Sequence, residues 1–235
     1  MRLLPLFLAT LPLALVPAPA AAQTAEATHV SDRNVPVQSG ARRETVIEQG
    51  LERPWAMAWL PDGTMLVTER PGRLRVVQAG KLRPEPVAGV PAVLAQGQGG
   101  LLDVAVHPRF ASNRLVYLTM AQGTAEANYT VVARGRLSED LSRLDQVERL
   151  YAVPRAKSGG QHFGSRLLFL PDGSLLVSIG DGGNPPAALD GAPIRNQAQN
   201  LGAAFGKVLR LTDDGKPFRD NPFVRRAGAL PEIYT

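Results

Sequence analysis

Cysteine is missing from all 235 residues of the chain. Its absence excludes disulfides, thiol chemistry and thiolate metal sites, so packing, hydrogen bonds or a bound metal must supply stability. Histidine is scarce: His29, His107 and His162 stand in three unrelated contexts with no His-Glu-x-x-His spacing, which argues against a histidine-built zinc site. No Gly-x-Ser-x-Gly elbow is present to support acyl transfer. Nor does charge of one sign accumulate. Against 21 Asp and Glu stand 26 Lys and Arg, a net +5, and the basic residues are scattered as Arg42-Arg43, Arg73-Leu74-Arg75 and Arg225-Arg226 without interleaved aromatics. That pattern is a solvated surface, and no nucleic-acid partner is expected.

Long apolar runs are also lacking, apart from the start. Met1-Arg2 precedes an apolar run over residues 3–16, then Pro17-Ala18-Pro19-Ala20-Ala21-Ala22-Gln23. The run falls short of the roughly 20 residues a spanning helix needs, and Ala20 and Ala22 supply a small-x-small cleavage pattern. Residues 1–22 are therefore expected to be a signal peptide, sending the chain to the periplasm or outside the cell without a membrane span. Residues 23–42 are small or polar with little periodicity and are expected to form a flexible extension.

What the remainder contains is a core and a repeat. Hydrophobic residues make up 44% of the chain, enough for a substantial interior, while only 6% are aromatic. Short apolar runs alternate with Gly, Pro and Asp, and no window holds helical spacing over many turns. Leu60-Pro61-Asp62-Gly63 and Leu170-Pro171-Asp172-Gly173 each sit between two such runs, and a longer turn around Pro108 is a looser relative. The spacings Pro61 to Pro108 and Pro108 to Pro171 are 47 and 63 residues. A propeller blade takes about 40 to 50, and the wider gap leaves room for a loop. The expected fold is all-β, a β-propeller with about three four-stranded blades over residues 43–235. The first blade would use strands near 56–60, 65–69, 74–78 and 86–90. The second would use 102–106, 115–120, 130–137 and 149–153, and the third 165–170, 175–180 and 207–211. If the repeat is misleading, a sandwich is the alternative.

His162 has the strongest claim to chemistry. It lies in Ser158-Gly159-Gly160-Gln161-His162-Phe163-Gly164, a glycine-flanked turn just before a strand, and an imidazole on a loop held by a rigid sheet suits a general base. A histidine that merely caps the strand is the plain alternative. Gln96-Gly97-Gln98-Gly99-Gly100 precedes another strand, so the Rossmann pattern fails. Its amide could grip a ligand or the loop could be a simple connector. Asp181, Asn184 and Asp190 follow a strand and carry oxygen donors, but their spacing is not that of an EF-hand, so a polar turn is expected. His107 is expected to be structural or solvated.

Taken in order, Gly97-Gln98-Gly99-Gly100-Leu101-Leu102-Asp103-Val104, Gln161-His162-Phe163-Gly164 and Gln199-Asn200-Leu201-Gly202 through Gly206-Lys207-Val208-Leu209-Arg210 carry a family likeness. The Asp220-Asn221-Pro222-Phe223 and Pro231-Glu232-Ile233-Tyr234 segments extend it, so that it spans about residues 43–235. The chain resembles the soluble aldose sugar dehydrogenases of the glucose/sorbosone dehydrogenase family. The resemblance implies a six-bladed propeller that uses pyrroloquinoline quinone (PQQ) and calcium to oxidise the anomeric hydroxyl of an aldose to a lactone, passing electrons to an external acceptor. It implies that His162 is the catalytic base and, with Gln98, a cofactor contact. Gln161 stands where relatives carry Asp or Asn, and an amide has no charge to share with an imidazolium. The resemblance also implies that the main calcium ligands and further cofactor contacts fall beyond Thr235, so the chain is expected to be an N-terminal portion, inactive alone. A non-catalytic propeller scaffold and a calcium-dependent lactone hydrolase are the competing functions.

Overall fold

The Leu-Pro-Asp-Gly sequences turn the chain by the same hydrogen bonds at both sites. In the first, Gly63 N–H donates to Leu60 O at 2.9 Å and Thr64 N–H to Asp62 Oδ1 at 2.9 Å. In the second, Gly173 N–H donates to Leu170 O at 2.9 Å and Ser174 N–H to Asp172 Oδ1 at 3.0 Å. The glycines take φ of +83° and +82°, a region costly for any residue with a Cβ. Each turn joins two antiparallel strands. These are seen in a computed structural model that describes residues 50–235; the expected signal peptide at 1–22 and extension at 23–42 lie outside the described residues.

The first sheet has the order β1 (Pro54–Trp59), β2 (Met65–Glu69), β3 (Arg73–Gln78), β4 (Lys81–Leu82). The second follows the same meander: β5 (Leu101–Val106), then a short helix α1 (Phe110–Asn113), β6 (Leu115–Gly123), β7 (Asn128–Leu137) and β8 (Leu144–Ala152). A third pairs β9 (Gly164–Phe169) with β10 (Leu175–Ile179) and β10 with β13 (Lys207–Leu211). Between β10 and β13 the chain makes a small hairpin, β11 (Ala188–Leu189) and β12 (Ala192–Pro193), and a 3-10 stretch, Ile194–Gln199. The fold is all-β, three successive antiparallel blades, and no sheet closes on itself among the described residues.

Two expected outer strands are corrected. Residues 86–90 do not form the fourth strand of the first blade; β4 takes the edge, and Val87 makes only an isolated bridge to Leu74. Pro84, Pro86 and Pro91 remove the N–H groups a continuous ladder would need. The third blade has three strands rather than four. Its outer edge is met by two separate bridges, Leu211 to Pro217 and Leu209 to Ile233.

Strand β6 shows where the core sits. Val116, Leu118 and Met120 pack into the cluster shared with the first blade, with Leu66, Leu74 and Leu101, whereas Tyr117 turns to the cluster shared with the third, with Leu175, Val177 and Leu209. That is the period-two alternation of a strand buried on both faces. His107, as expected, is structural: buried, its Nδ1 accepts from Arg109 N–H at 2.9 Å, and its ring packs edge-on against Phe169.

A hydroxyl repeat stitches the blades together. Thr68 Oγ1 accepts from Ala56 N–H at 3.1 Å in its own blade and donates to Leu102 O of the next at 2.5 Å. Thr119 Oγ1 accepts from Asp103 N–H at 2.9 Å and donates to Ser165 O at 2.8 Å. Ser178 Oγ holds the same place in the third blade, accepting from Arg166 N–H at 2.9 Å. In each blade the register between the first two strands shifts at this point, and the hydroxyl fills the gap left in the ladder.

Candidate active site

His162 sits immediately before β9, with φ +49°, a left-handed conformation uncommon for a residue with a side chain but more frequent for His than for most. The turn is pinned from two sides. Its N–H donates to Gln98 Oε1 at 2.9 Å, and its carbonyl lies so close to the end of β10 that a Cβ on Gly180 would come within 1.9 Å of it. Glycine at 180 is therefore a requirement of the site as well as of the strand. Gln98 is held in turn, because its own N–H donates to Gly160 O at 2.7 Å. The two residues picked out from the sequence are brought together.

Sequence reasoning places Asp181 in a polar turn and misses its pairing with His162. Its Oδ1 lies 2.7 Å from His162 Nδ1 and accepts from Gly183 N–H at 3.1 Å. Arg195 stands 3.8 Å from its other oxygen and also donates to Asn184 Oδ1 at 2.5 Å. Burial would raise the Asp181 carboxyl, but the His162 and Gly183 hydrogen bonds and the charges of His162 and Arg195 outweigh it and hold the group below the usual carboxylate range. An ionised Asp181 accepts only, so Nδ1 carries a proton and Nε2 is the basic nitrogen of the neutral ring. A usable signal was present in the sequence. Counting outward from the Pro171-Asp172-Gly173 turn brings residue 181 to within one position of residue 162, and the register shift between Val177 and Ile179 supplies the last step. Gln161 is exposed, and the charge it lacks comes from Asp181.

These groups face a cleft of about 290 Å³ lined by Trp55, Arg70, Gln98, Leu102, His162, Phe163 and Gly164. A larger cavity of about 650 Å³ lies against Arg73, Arg75 and Arg83, but those arginines are spent on Glu69, Glu52, Gln78 and backbone carbonyls. The smaller cleft holds the candidate chemistry. Asp103, in the strand that follows the Gln98 loop, is buried and accepts from Leu167 N–H at 2.7 Å and Val104 N–H at 2.9 Å, so it is a staple between blades. Burial raises its carboxyl, against those amides and Arg166.

A flat, anionic quinone would need N–H donors, a planar wall and a base. Among the described residues Gln98 Nε2 and Arg70 Nη1 donate to no protein group and His162 Nε2 has no partner, while Trp55 is 37% exposed on the cleft wall. That donor set fits such a group. It does not make a calcium site: no three acidic or histidine side chains converge among the described residues. No helix among them is long and apolar enough to cross a membrane.

Fold and site together define a β-propeller chain with a carboxylate-held histidine at the entrance to its third blade. The family model for glucose/sorbosone dehydrogenase matches residues 51–235, and the chain belongs to that family. It is 54% identical over 194 residues to the uncharacterized protein slr1608 of Synechocystis, covering 79% of this chain and 47% of that one. It is 41% identical over 192 residues to the aldose sugar dehydrogenase YliI of Escherichia coli, covering 81% and 49%. The PQQ-bound aldose sugar dehydrogenase of Streptomyces coelicolor matches in structure with a TM-score of 0.61 at 31% identity, over 78% of this chain and 50% of that one. The chain spans about half the length of the curated relatives it matches.

Proposed function

We propose that this chain carries the catalytic base of a PQQ-dependent aldose dehydrogenase, which oxidises the anomeric hydroxyl of a sugar to a lactone. The observation that carries the proposal is the His162–Asp181 pair opening onto a cleft with Gln98, Arg70 and Trp55. PQQ, when bound, supplies a two-electron acceptor for the hydride leaving the sugar carbon. The protein's own part is proton transfer: His162 Nε2 takes the hydroxyl proton, and Asp181 fixes the tautomer and stabilises the imidazolium that forms. Gln98 holds the His162 backbone through its Oε1 and turns its Nε2 to the cofactor. Trp55 offers a flat apolar wall. An external acceptor then removes the electrons, and the leader-like residues 1–22 point to export.

Dye-linked oxidation of several aldoses tests the proposal, with PQQ supplied to a full-length version that carries this chain. Replacing His162 with Ala is expected to cut turnover by about 10²- to 10⁴-fold while PQQ titration, followed by absorbance, changes little. Equal turnover in both proteins would remove His162 from the chemistry. A non-catalytic scaffold would bind PQQ weakly or not at all in the same titration.

A further inference from the structure

Gln98 orients the catalytic turn, yet it sits between two glycines and has no side-chain neighbour in sequence that could anchor it. The anchor comes from another blade. Arg70 directly follows β2 and has its backbone fixed at both ends, with its N–H donating to Arg53 O at 3.1 Å and its carbonyl accepting from Leu101 N–H at 3.0 Å. From there its guanidinium reaches over the Gly97-Gln98-Gly99 loop. Nε and Nη2 donate to Gly99 O at 3.1 and 3.0 Å, and Nη2 also donates to Gly97 O. Both carbonyls flanking Gln98 are thus held by one planar fork.

The chain of contacts then continues without a break. The loop places Gln98 N–H on Gly160 O at 2.7 Å and Gln98 Oε1 under His162 N–H at 2.9 Å, and His162 meets Asp181 at 2.7 Å. We propose that Arg70 is a positioning residue of the site: it sets the Gln98 loop, and through Gln98 the His162 turn, so that the first blade fixes the base carried by the third. This rests on the dehydrogenase reading only for the purpose of the positioning; the linkage itself is a property of the ligand-free protein. Lys at 70 keeps the charge beside the cleft but, as a point charge on a flexible stem, loses the rigid planar fork that spans the Gly97 and Gly99 carbonyls.

NMR hydrogen exchange on the ligand-free chain tests this. Arg70→Ala and Arg70→Lys are both expected to speed exchange of the Gln98 and His162 amides by roughly five- to thirtyfold, the effect of losing one or two net hydrogen bonds. Gln98→Ala is expected to speed the His162 amide and leave the residue 98 amide near its wild-type rate. In the double variant the His162 amide should exchange no faster than in Gln98→Ala, because Arg70 acts on it only through Gln98. Wild-type exchange at both amides in Arg70→Lys, or additive effects in the double variant, would overturn the proposal. Thermal unfolding identifies any variant that fails to fold, and Arg70→Gln then replaces Arg70→Ala. PQQ titration is read separately, on a full-length version that carries this chain: if that protein binds no quinone, the dehydrogenase reading fails, while the exchange rates still decide the linkage.

Discussion

The proposed chemistry turns on which nitrogen of His162 is held by Asp181. Asp181 Oδ1 already takes a hydrogen bond from the Gly183 amide, and its 2.7 Å contact with Nδ1 fixes the ring edge-on to the carboxylate. Asp181→Asn keeps the size and one acceptor but removes the charge that favours the imidazolium. Turnover of aldose is expected to fall by roughly 10- to 100-fold, the usual effect of losing an outer partner of a functional histidine. The melting temperature should move little, because both side chains are about one-third exposed. Steady-state kinetics of this variant, with quinone affinity measured alongside, separates a loss of base strength from a loss of cofactor. An unchanged kcat would mean that Asp181 only shapes the turn.

Elements impose a different kind of demand, since the site lies where strand ends from different blades approach closely. A methyl at position 180 would lie 1.9 Å from His162 O, so Gly180→Ala must push the His162 turn away from β10. It is expected to destabilise the chain by about 1–3 kcal/mol, as overpacking does, and to break the His162–Asp181 contact, visible in thermal unfolding and in the histidine ring shifts. The hydroxyl repeat gives a second test. Thr119→Val preserves shape but strands the Asp103 N–H and the Ser165 carbonyl, both buried, at a cost of about 1–3 kcal/mol. Ser178→Ala breaks a single bond, to Arg166 N–H, and should cost less; chemical denaturation that ranked them the other way would refute the stitching role.

These elements also mark how far the sequence could be read. The Leu-Pro-Asp-Gly turns and the apolar runs around them are local signals, set by a few neighbouring residues, and they located most strands and the blade repeat. The outer strand at 86–90 was misread because apolar pattern outweighed three prolines whose missing N–H groups only matter once a ladder is required. His162 and Gln98 were legible because glycines flank them. Asp181 was passed over as a turn residue, since its role depends on register across a hairpin. Arg70 was invisible, because its partners are backbone carbonyls 27 and 29 residues away, and carbonyls leave no trace in composition.

At the scale of the molecule, one buried cation ties blade packing to pH. Lys157 is 4% exposed, pairs through its backbone with Asn128 at the start of β7, and places its ammonium 3.9 Å from the centre of the Phe163 ring, next to His162. Burial pushes its pKa down to about 8 from 10.5. The folded pKa lies below the unfolded one, so between those values the unfolded chain binds more protons and stability rises with pH. The contribution is complete above 10.5 and is lost as pH falls through about 8. The full swing is on the order of 3–4 kcal/mol. Lys157→Met keeps the aliphatic stem in place and removes the titration. Denaturation of both proteins between pH 7 and 10 is therefore expected to show wild-type stability gaining on the variant as pH rises. The raised pKa values of buried Tyr117 and half-buried Tyr151 act on both proteins alike and cancel in the difference. A difference that stayed flat across that range would mean that Lys157 keeps its charge at no cost in the folded chain. In that case the Phe163 ring and the Gly159 carbonyl, 3.2 Å away, compensate fully for its burial.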